Sequence, residues 1–95
     1  MFAGIKKALR LSTTAFDDDI KSNIDTALLE LGRVGVNVVG LTNESADADK
    51  LIVKACELYC KSQFNFMSKG EQFQNNFEQL RDALSVTTKY IEVII

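Results

Sequence analysis

Two cysteines are the residues of this sequence whose type and spacing could most directly do chemistry. Cys56 and Cys60 lie four residues apart in a segment with helical periodicity, so both thiols would share one helix face. Such a pair seldom meets disulfide geometry and provides at best half of a zinc site. The sequence contains no histidine, the usual general base and the commonest additional zinc ligand. We therefore expect Cys56 and Cys60 to be small, buried core residues.

An acidic triplet is the second group with chemical potential. Asp17, Asp18 and Asp19 lack the interleaved ligands and the turn glycine of a calcium-binding loop. They suit the positive end of a helix, and Thr14 with Asp17 three residues later resembles a capping box. Without a nucleophile, a base and a polar pocket, we expect no enzymatic activity, no metal ion and no cofactor.

Composition and charge limit the remaining functions. The sequence has 95 residues, 46% of them hydrophobic, and a formal net charge of −2. This describes one small domain without the basic excess typical of nucleic-acid binding, and no segment is long enough to span a membrane. No secretory signal is visible, so we expect synthesis in a reducing cytoplasm.

The charges are unevenly distributed along the chain. The first sixteen residues carry +3, and residues 17–33 carry −3. This asymmetry either orders subunits in an assembly or belongs to an ordinary solvated surface. The candidate interface charges are Lys6, Lys7, Arg10, Asp17, Asp18 and Asp19.

Apolar residues at helical spacing predict a mainly α fold, a small bundle of about four helices. The first helix covers residues 2–11, and the second begins near Asp17 and ends at Gly32 or Gly35. The third covers about residues 49–66. The fourth follows a capping-box pattern from Ser68 to Glu71. The apolar stripe predicted for the second helix is Ile20, Ile24, Ala27, Leu28 and Leu31. The stripe predicted for the third helix is Leu51, Ala55, Leu58, Tyr59 and Ser62, and Ile52 and Cys56 widen it. The stripe predicted for the fourth helix is Phe73, Phe77, Leu80 and Leu84.

Between the second and third helices, residues 34–41 are β-branched and punctuated by glycine, which predicts an extended segment or a short strand. The segment lacks the Gly-Lys-Ser/Thr element of a phosphate-binding loop. The polar stretch after it offers Asn43, Ser45 and Asp47 as helix N-caps.

The C-terminal end forms a second unit in the predicted organisation. Residues 1–88 form one helical domain, and residues 89–95 form an extended tail of strong strand propensity. The tail either pairs with residues 34–41 or adds to another chain by β-augmentation. We therefore consider these residues a candidate site for docking on another chain or subunit: Lys89, Tyr90, Ile91, Glu92, Val93, Ile94 and Ile95.

Three sequence stretches carry a resemblance to a known family. Residues 6–11 read Lys-Lys-Ala-Leu-Arg-Leu, and after a Ser/Thr turn residues 17–27 form an acidic segment with paired isoleucines at 20 and 24. Residues 51–59 are similar to the family's second core helix. Over about residues 5–85 the sequence resembles the small head–tail connector (adaptor, head-completion) proteins of tailed bacteriophages. The valine- and glycine-rich segment 34–41 and the isoleucine-rich end depart from that pattern.

The resemblance implies a structural virion protein at the head–tail interface, made in the cytoplasm of a host bacterium. Its partners would be further copies of itself, the portal protein, and a stopper or tail-completion protein. In the family, a ring, commonly of twelve subunits, extends the DNA channel for genome retention and ejection. DNA would pass through without sequence-specific binding, and no membrane would be involved.

A small helical protein-binding regulatory module is the alternative function. It would remain free of large oligomers at all concentrations and bind a soluble non-phage partner. Sequence-specific DNA binding is disfavoured, because no predicted helix has a basic face long enough for the major groove.

Overall fold

Four α-helices make up the part of the chain that the computed structural model describes, residues 1–87. A short 3₁₀ turn, Phe66–Ser68, precedes the last helix. No β-strand is present within these residues, which confirms the prediction of a mainly α bundle. The predicted tail, residues 89–95, lies outside the described residues. The helices are α1 (Phe2–Ala8), α2 (Asp17–Arg33), α3 (Lys50–Gln63) and α4 (Gly70–Ser85).

α3 is the central helix, and it packs against both α2 and α4. The ring of Phe16, at the start of α2, meets Phe64, at the end of α3, edge to face with centroids 5.9 Å apart. Tyr59 and Phe77 make a similar contact at 5.1 Å between α3 and α4. α3 therefore runs antiparallel to both neighbours. One end of the bundle holds the ends of α2 and α4 with the start of α3.

The core is built from apolar side chains alone within residues 1–87. All five residues of the stripe predicted for α2 are buried, and Ile20, Ile24 and Leu31 have no exposed surface. In α4, Phe77 and Leu84 are buried, while Phe73 and Leu80 pack against the core as partly buried residues. The helical periodicity of both segments therefore predicted the buried faces correctly.

α1 is shorter than predicted, because it ends at Ala8 rather than Leu11. Arg10 has a φ of 59°, and the N–H of Leu11 points back to the carbonyl of Lys6 at 3.4 Å. A left-handed residue at this position stops helix propagation. Ile5 and Leu9 are both buried in the core.

α2 begins without the predicted capping box. Its N-cap is Phe16, which has no side-chain cap, and the N–H of Asp17 reaches the backbone carbonyl of Thr14 at 3.2 Å. The hydroxyl of Thr13 accepts the N–H of Ala15, also at 3.2 Å. A backbone turn immediately before the helix therefore replaces the side-chain cap.

α2 ends in a Schellman motif centred on Gly35. The φ of Gly35 is 95°, its N–H donates to Gly32, and the N–H of Val36 donates to Leu31 at 3.1 Å. Val36 is consequently pulled into the core. The rest of segment 34–41 turns again at Gly40, so the segment is irregular, with one isolated β-bridge residue at Val36 in place of a strand.

α3 is capped by Asp49, whose carboxylate accepts the N–H of Leu51 at 2.9 Å. The predicted caps Asn43, Ser45 and Asp47 were wrong, because α3 starts at Lys50 and leaves them in the preceding loop. The helix also ends earlier than predicted, at Gln63.

The buried face of α3 differs from the predicted one at its first turn. Leu51 is 45% exposed, whereas Cys60 is fully buried. Ile52, Ala55, Cys56 and Leu58 are buried as predicted. Because α3 is contacted on two sides, by α2 and by α4, its buried surface is wider than a single stripe.

The turn between α3 and α4 is strained. Asn65, Met67 and Ser68 all have positive φ values, 47°, 53° and 59°. The capping box predicted from Ser68 is therefore wrong, and the side-chain oxygen of Asn65 accepts the N–H of Gly70 at 2.9 Å instead. Only glycine fits at residue 70, since a Cβ there would lie 2.7 Å from that oxygen.

Candidate docking surfaces

The two cysteines lie in the core. Both are free and fully buried, and burial raises the pKa of each thiol to about 12. They are therefore neutral at physiological pH, which confirms their role as small buried hydrophobic residues. Within residues 1–87, no group of three or more His, Cys, Asp or Glu side chains is placed to hold a metal ion.

Part of the predicted charge asymmetry is used inside the subunit. The ammonium of Lys6 lies 2.8 Å from a carboxylate oxygen of Asp17. The guanidinium of Arg10 lies over the ring of Phe66, 5.8 Å from its centroid.

Other charged side chains remain on the surface. Lys7, Arg10, Asp18 and Asp19 are exposed. The role of the six predicted residues as interface charges stays a prediction.

Exposed apolar side chains lie at both ends of the bundle. We call the end where α2 and α4 finish the groove end and the opposite end, with the α3–α4 connection, the turn end. Large apolar residues exposed at the groove end are Leu29 (70%), Val39 (74%), Leu51 (45%) and Val86 (79%). At the turn end they are Phe16 (42%) and Met67 (62%). Contiguous exposed apolar patches mark surfaces for partners, whereas single exposed apolar side chains are ordinary.

An open groove of about 680 Å³ lies at the groove end, between α2 and the loop that follows it. Its lining includes the apolar residues Leu28, Leu29 and Val38 together with charged residues. The loop packs against α2 at Gly32, where an added Cβ would lie 3.2 Å from the side chain of Val38. The complete lining is Asp25, Leu28, Leu29, Glu30, Gly32, Arg33 and Val38.

Hydrogen bonds hold the loop before α3 in place. The side-chain amide of Asn43 donates to the carboxylate of Asp25 at 3.0 and 3.1 Å. The backbone carbonyl of Asn43 accepts the N–H of Phe2 at 2.8 Å, and that of Ser45 accepts the amino group of Met1 at 2.6 Å. Asn43, predicted as a helix cap, instead ties α1 and α2 together.

Aromatic rings and cations characterise the turn end. Phe66 and Phe73 lie 6.2 Å apart, and the ammonium of Lys61 lies over both rings, at 5.2 and 5.5 Å. Met67 projects from the strained turn beside them. Strained backbone that displays an exposed apolar residue is typical of interaction sites.

A bundle of this size, with an apolar core and exposed apolar residues at both ends, is a small structural domain that meets partners through its surfaces. The family model described as phage connector protein matches residues 1–91. The chain therefore belongs to the phage connector family, as its resemblance to head–tail connectors predicted. No match was found among curated proteins or solved structures.

Family membership defines the general role of the chain. Phage connectors are structural rather than catalytic proteins, so this chain is a structural component of a phage virion and associates with other virion proteins. No helix within residues 1–87 combines the length and the hydropathy needed to cross a membrane.

Proposed function

We propose that the chain is the subunit of a ring, of twelve copies as the family resemblance implies, between the portal and the tail or stopper. The ring extends the DNA channel and serves genome retention and ejection. The observation that carries this proposal is the match of residues 1–91 to the phage connector family. Self-association, the portal and a stopper or tail-completion protein are the proposed partners.

The two ends of the bundle support contacts with two different proteins. The groove end offers a concave apolar surface with charges at its rim, whereas the turn end offers aromatic rings, a lysine and a protruding Met67. The 14 residues of α3, about 21 Å of helix, lie between these two surfaces. A subunit between a portal above and a stopper below needs two unlike surfaces of this kind.

The charge of the chain suits a channel through which DNA moves. With a net charge of −2, the protein has little attraction for the phosphate backbone. Contacts with DNA would then be weak and independent of sequence, which favours passage over retention on the wall.

We assign the ring body to residues 1–88 and the docking function to the tail, residues 89–95. The tail is apolar and β-branched, with Ile91, Val93, Ile94 and Ile95 near its end. Such a segment gains stability by adding to another protein surface, on the portal or on a neighbouring subunit. The proposed charges of the subunit interface are Lys6, Lys7, Arg10, Asp17, Asp18 and Asp19, of which Lys7, Arg10, Asp18 and Asp19 are exposed.

Electron microscopy of the purified chain mixed with its portal tests the ring. We expect a ring of density on the portal with the full chain. A chain lacking residues 89–95 should keep the helical circular dichroism signal of the full chain and form no ring. Portal particles without added density would contradict the ring function, and normal rings from the truncated chain would contradict the assignment of the tail. A chain that stays monomeric at every concentration and binds a soluble non-phage protein would support the regulatory-module alternative.

A further inference from the structure

We propose that in the free subunit the C-terminal tail, residues 89–95, pairs with the backbone beside Val36 of its own chain, and that it leaves this position when it docks on another protein. This inference rests on the proposed docking function of the tail. It deepens that function by adding a contact that holds the tail back until assembly.

Val36 is a β-bridge residue, and a bridge requires hydrogen bonds to a second stretch of backbone. No other residue within 1–87 belongs to a bridge or a strand. The structure consists of one chain, so the second stretch does not come from a neighbouring copy. Only the residues after Thr87 remain to provide it.

The backbone around Val36 leaves two groups for such a partner. The N–H groups of Gly35 and Val36 are both used by the Schellman motif that ends α2. The carbonyl of Gly35 and the N–H of Asn37 have no backbone hydrogen-bond partner within residues 1–87. Asn37 is exposed, so an extended segment can approach it from outside the bundle.

The tail starts within reach of Val36. α2 and α4 both finish at the groove end, and each of them packs against α3. Because the axes of packed helices lie about 8–10 Å apart, the two helix ends are separated by about 20 Å at most. An extended chain advances about 3.3 Å per residue, so about six residues after Thr87 cover this distance. The second half of the tail therefore comes to lie beside Val36.

The tail and its proposed partner segment both have the composition of strands. Ile91, Val93, Ile94 and Ile95 are β-branched, and residues 88–95 contain neither Gly nor Pro. Segment 34–41 contributes four valines. Two such segments that meet at one end of the bundle satisfy each other's free backbone groups.

Pairing within the subunit competes with docking, because one stretch of backbone cannot complete two ladders at once. A tail held on its own chain does not offer an unpaired edge to other copies, which limits association before the portal is present. Docking then exchanges one set of backbone hydrogen bonds for another, so the net cost of release is small.

Amide hydrogen exchange of the free wild-type chain, followed by NMR, tests the pairing. We expect the N–H of Asn37 to exchange roughly tenfold slower than an unprotected amide. The N–H of Ala46 is the internal control, because it lies in the exposed loop before α3 and has no backbone acceptor within residues 1–87. Equal protection of the two amides would overturn the proposal.

Cysteine pairs in the full chain identify the partner segment. Asn37→Cys is combined with one cysteine at a time at residues 90–94, and each variant is oxidised at low concentration. Cys56 and Cys60 are buried and neutral, so they need not be removed. We expect a cross-linked monomer that forms best at alternate tail positions, since side chains of a strand alternate between faces and a disulfide requires Cα atoms within about 7 Å. Covalent dimers in place of monomers, or no cross-link at any position, would contradict pairing within the chain.

Glu44→Cys, combined with the same tail cysteines, is the matched control. Glu44 is exposed and follows Asn43, which is hydrogen-bonded to Asp25 two helical turns before the end of α2. We expect roughly tenfold less cross-linked monomer than with Asn37→Cys. Similar yields from the two positions would show a tail without a fixed place and would refute the pairing.

The wild-type chain bound to its portal tests the release. Exchange in segment 34–41, read by mass spectrometry, should become faster on binding, and slow exchange retained in the ring would overturn the proposed release. Electron microscopy of the same sample shows independently whether the ring forms. Protection of Asn37 in the free chain without any ring on the portal would refute the ring function and leave the pairing intact. Rings from a chain whose Asn37 is unprotected would do the reverse.

Discussion

The ammonium of Lys6 lies 2.8 Å from a carboxylate oxygen of Asp17 and joins α1 to the first residue of α2. The two side chains are only 19% and 25% exposed. The basic beginning of the chain and the acidic segment that follows it therefore meet within one subunit. This contact fixes α1 against the bundle and leaves the neighbouring charges at the surface.

We expect the Lys6–Asp17 pair to contribute about 1 kcal/mol to the free energy of unfolding, because partial burial limits screening by solvent. A double-mutant cycle with Lys6→Met and Asp17→Asn, followed by urea denaturation, measures this coupling. Lys7→Met, on the exposed side of the same helix, should change stability by less than about 0.5 kcal/mol. If the changes in the free energy of unfolding of the two single variants add up to that of the double variant, the pair is not stabilising.

Opposite effects are expected from the same substitution at two glycines. Gly35→Ala should destabilise the chain by about 1 kcal/mol, because the φ of 95° strains any residue with a Cβ. Gly4→Ala should stabilise it by about 0.5 kcal/mol, since Gly4 lies in α1 with open space where a Cβ would stand. Thermal unfolding of the two variants compares them, and a shift of the same sign in both would disagree with this explanation.

The cap of α3 provides a third prediction. Asp49→Ala should lower the free energy of unfolding by about 1 kcal/mol, because the N–H of Leu51 loses its acceptor. Asp47→Ala removes the same charge two residues earlier, outside the helix, and should have an effect below about 0.5 kcal/mol. Chemical denaturation of both variants decides between capping and general charge effects; equal losses would favour the latter.

We expect the free energy of unfolding to fall at high pH because of the two buried cysteines. Burial raises the pKa of Cys56 and Cys60 from 9.0 to about 12, with the charge of Asp25 as a lesser cause for Cys56. The folded chain therefore holds protons that the unfolded chain releases above pH 9. The contribution of the two protonated thiols to the free energy of unfolding is complete below pH 9 and declines as the pH rises toward 12.

Urea denaturation at several pH values measures that decline. Cys56→Ala should reduce the slope of the free energy of unfolding against pH, whatever the stability of the variant at neutral pH. In the folded wild-type chain at pH 8, a thiol reagent should label neither cysteine until urea is added. Rapid labelling without denaturant would show that the thiols are accessible.

Helix positions were predictable where apolar periodicity alone determines burial. The spacing of Ile20, Ile24 and Leu31 predicts the buried face of α2, because that helix contacts the core along one stripe. In α3, Leu51 was assigned to the core and is exposed, although Ile52 beside it in the same turn is buried. Periodicity gives the phase of a helix but not the extent of its contacts.

Helix ends were harder to predict. Thr14 and Ser68 both fit capping-box patterns, yet the backbone around each adopts another conformation, with a φ of 59° at Ser68. The cap at α4 comes from Asn65, whose left-handed conformation depends on the turn between two packed helices. Such long-range constraints are not visible in a four-residue pattern.

The groove was missed because it forms only when segment 34–41 folds back onto α2. One signal was present in the sequence, since Leu29 is a large apolar residue outside the stripe of an otherwise amphipathic helix. The turn end gave a weaker signal, in the cluster of Phe64, Phe66 and Met67.

The central position of α3 has a mechanical consequence. Its 14 residues, about 21 Å of helix, separate the turn end from the groove end, and packing on both sides prevents it from bending independently. The helix therefore acts as a spacer of fixed length between the two ends of the bundle. Four added residues would lengthen it by about 6 Å and rotate one end relative to the other by about 40°. The length of this one helix therefore sets both the distance and the relative rotation of the two exposed apolar surfaces.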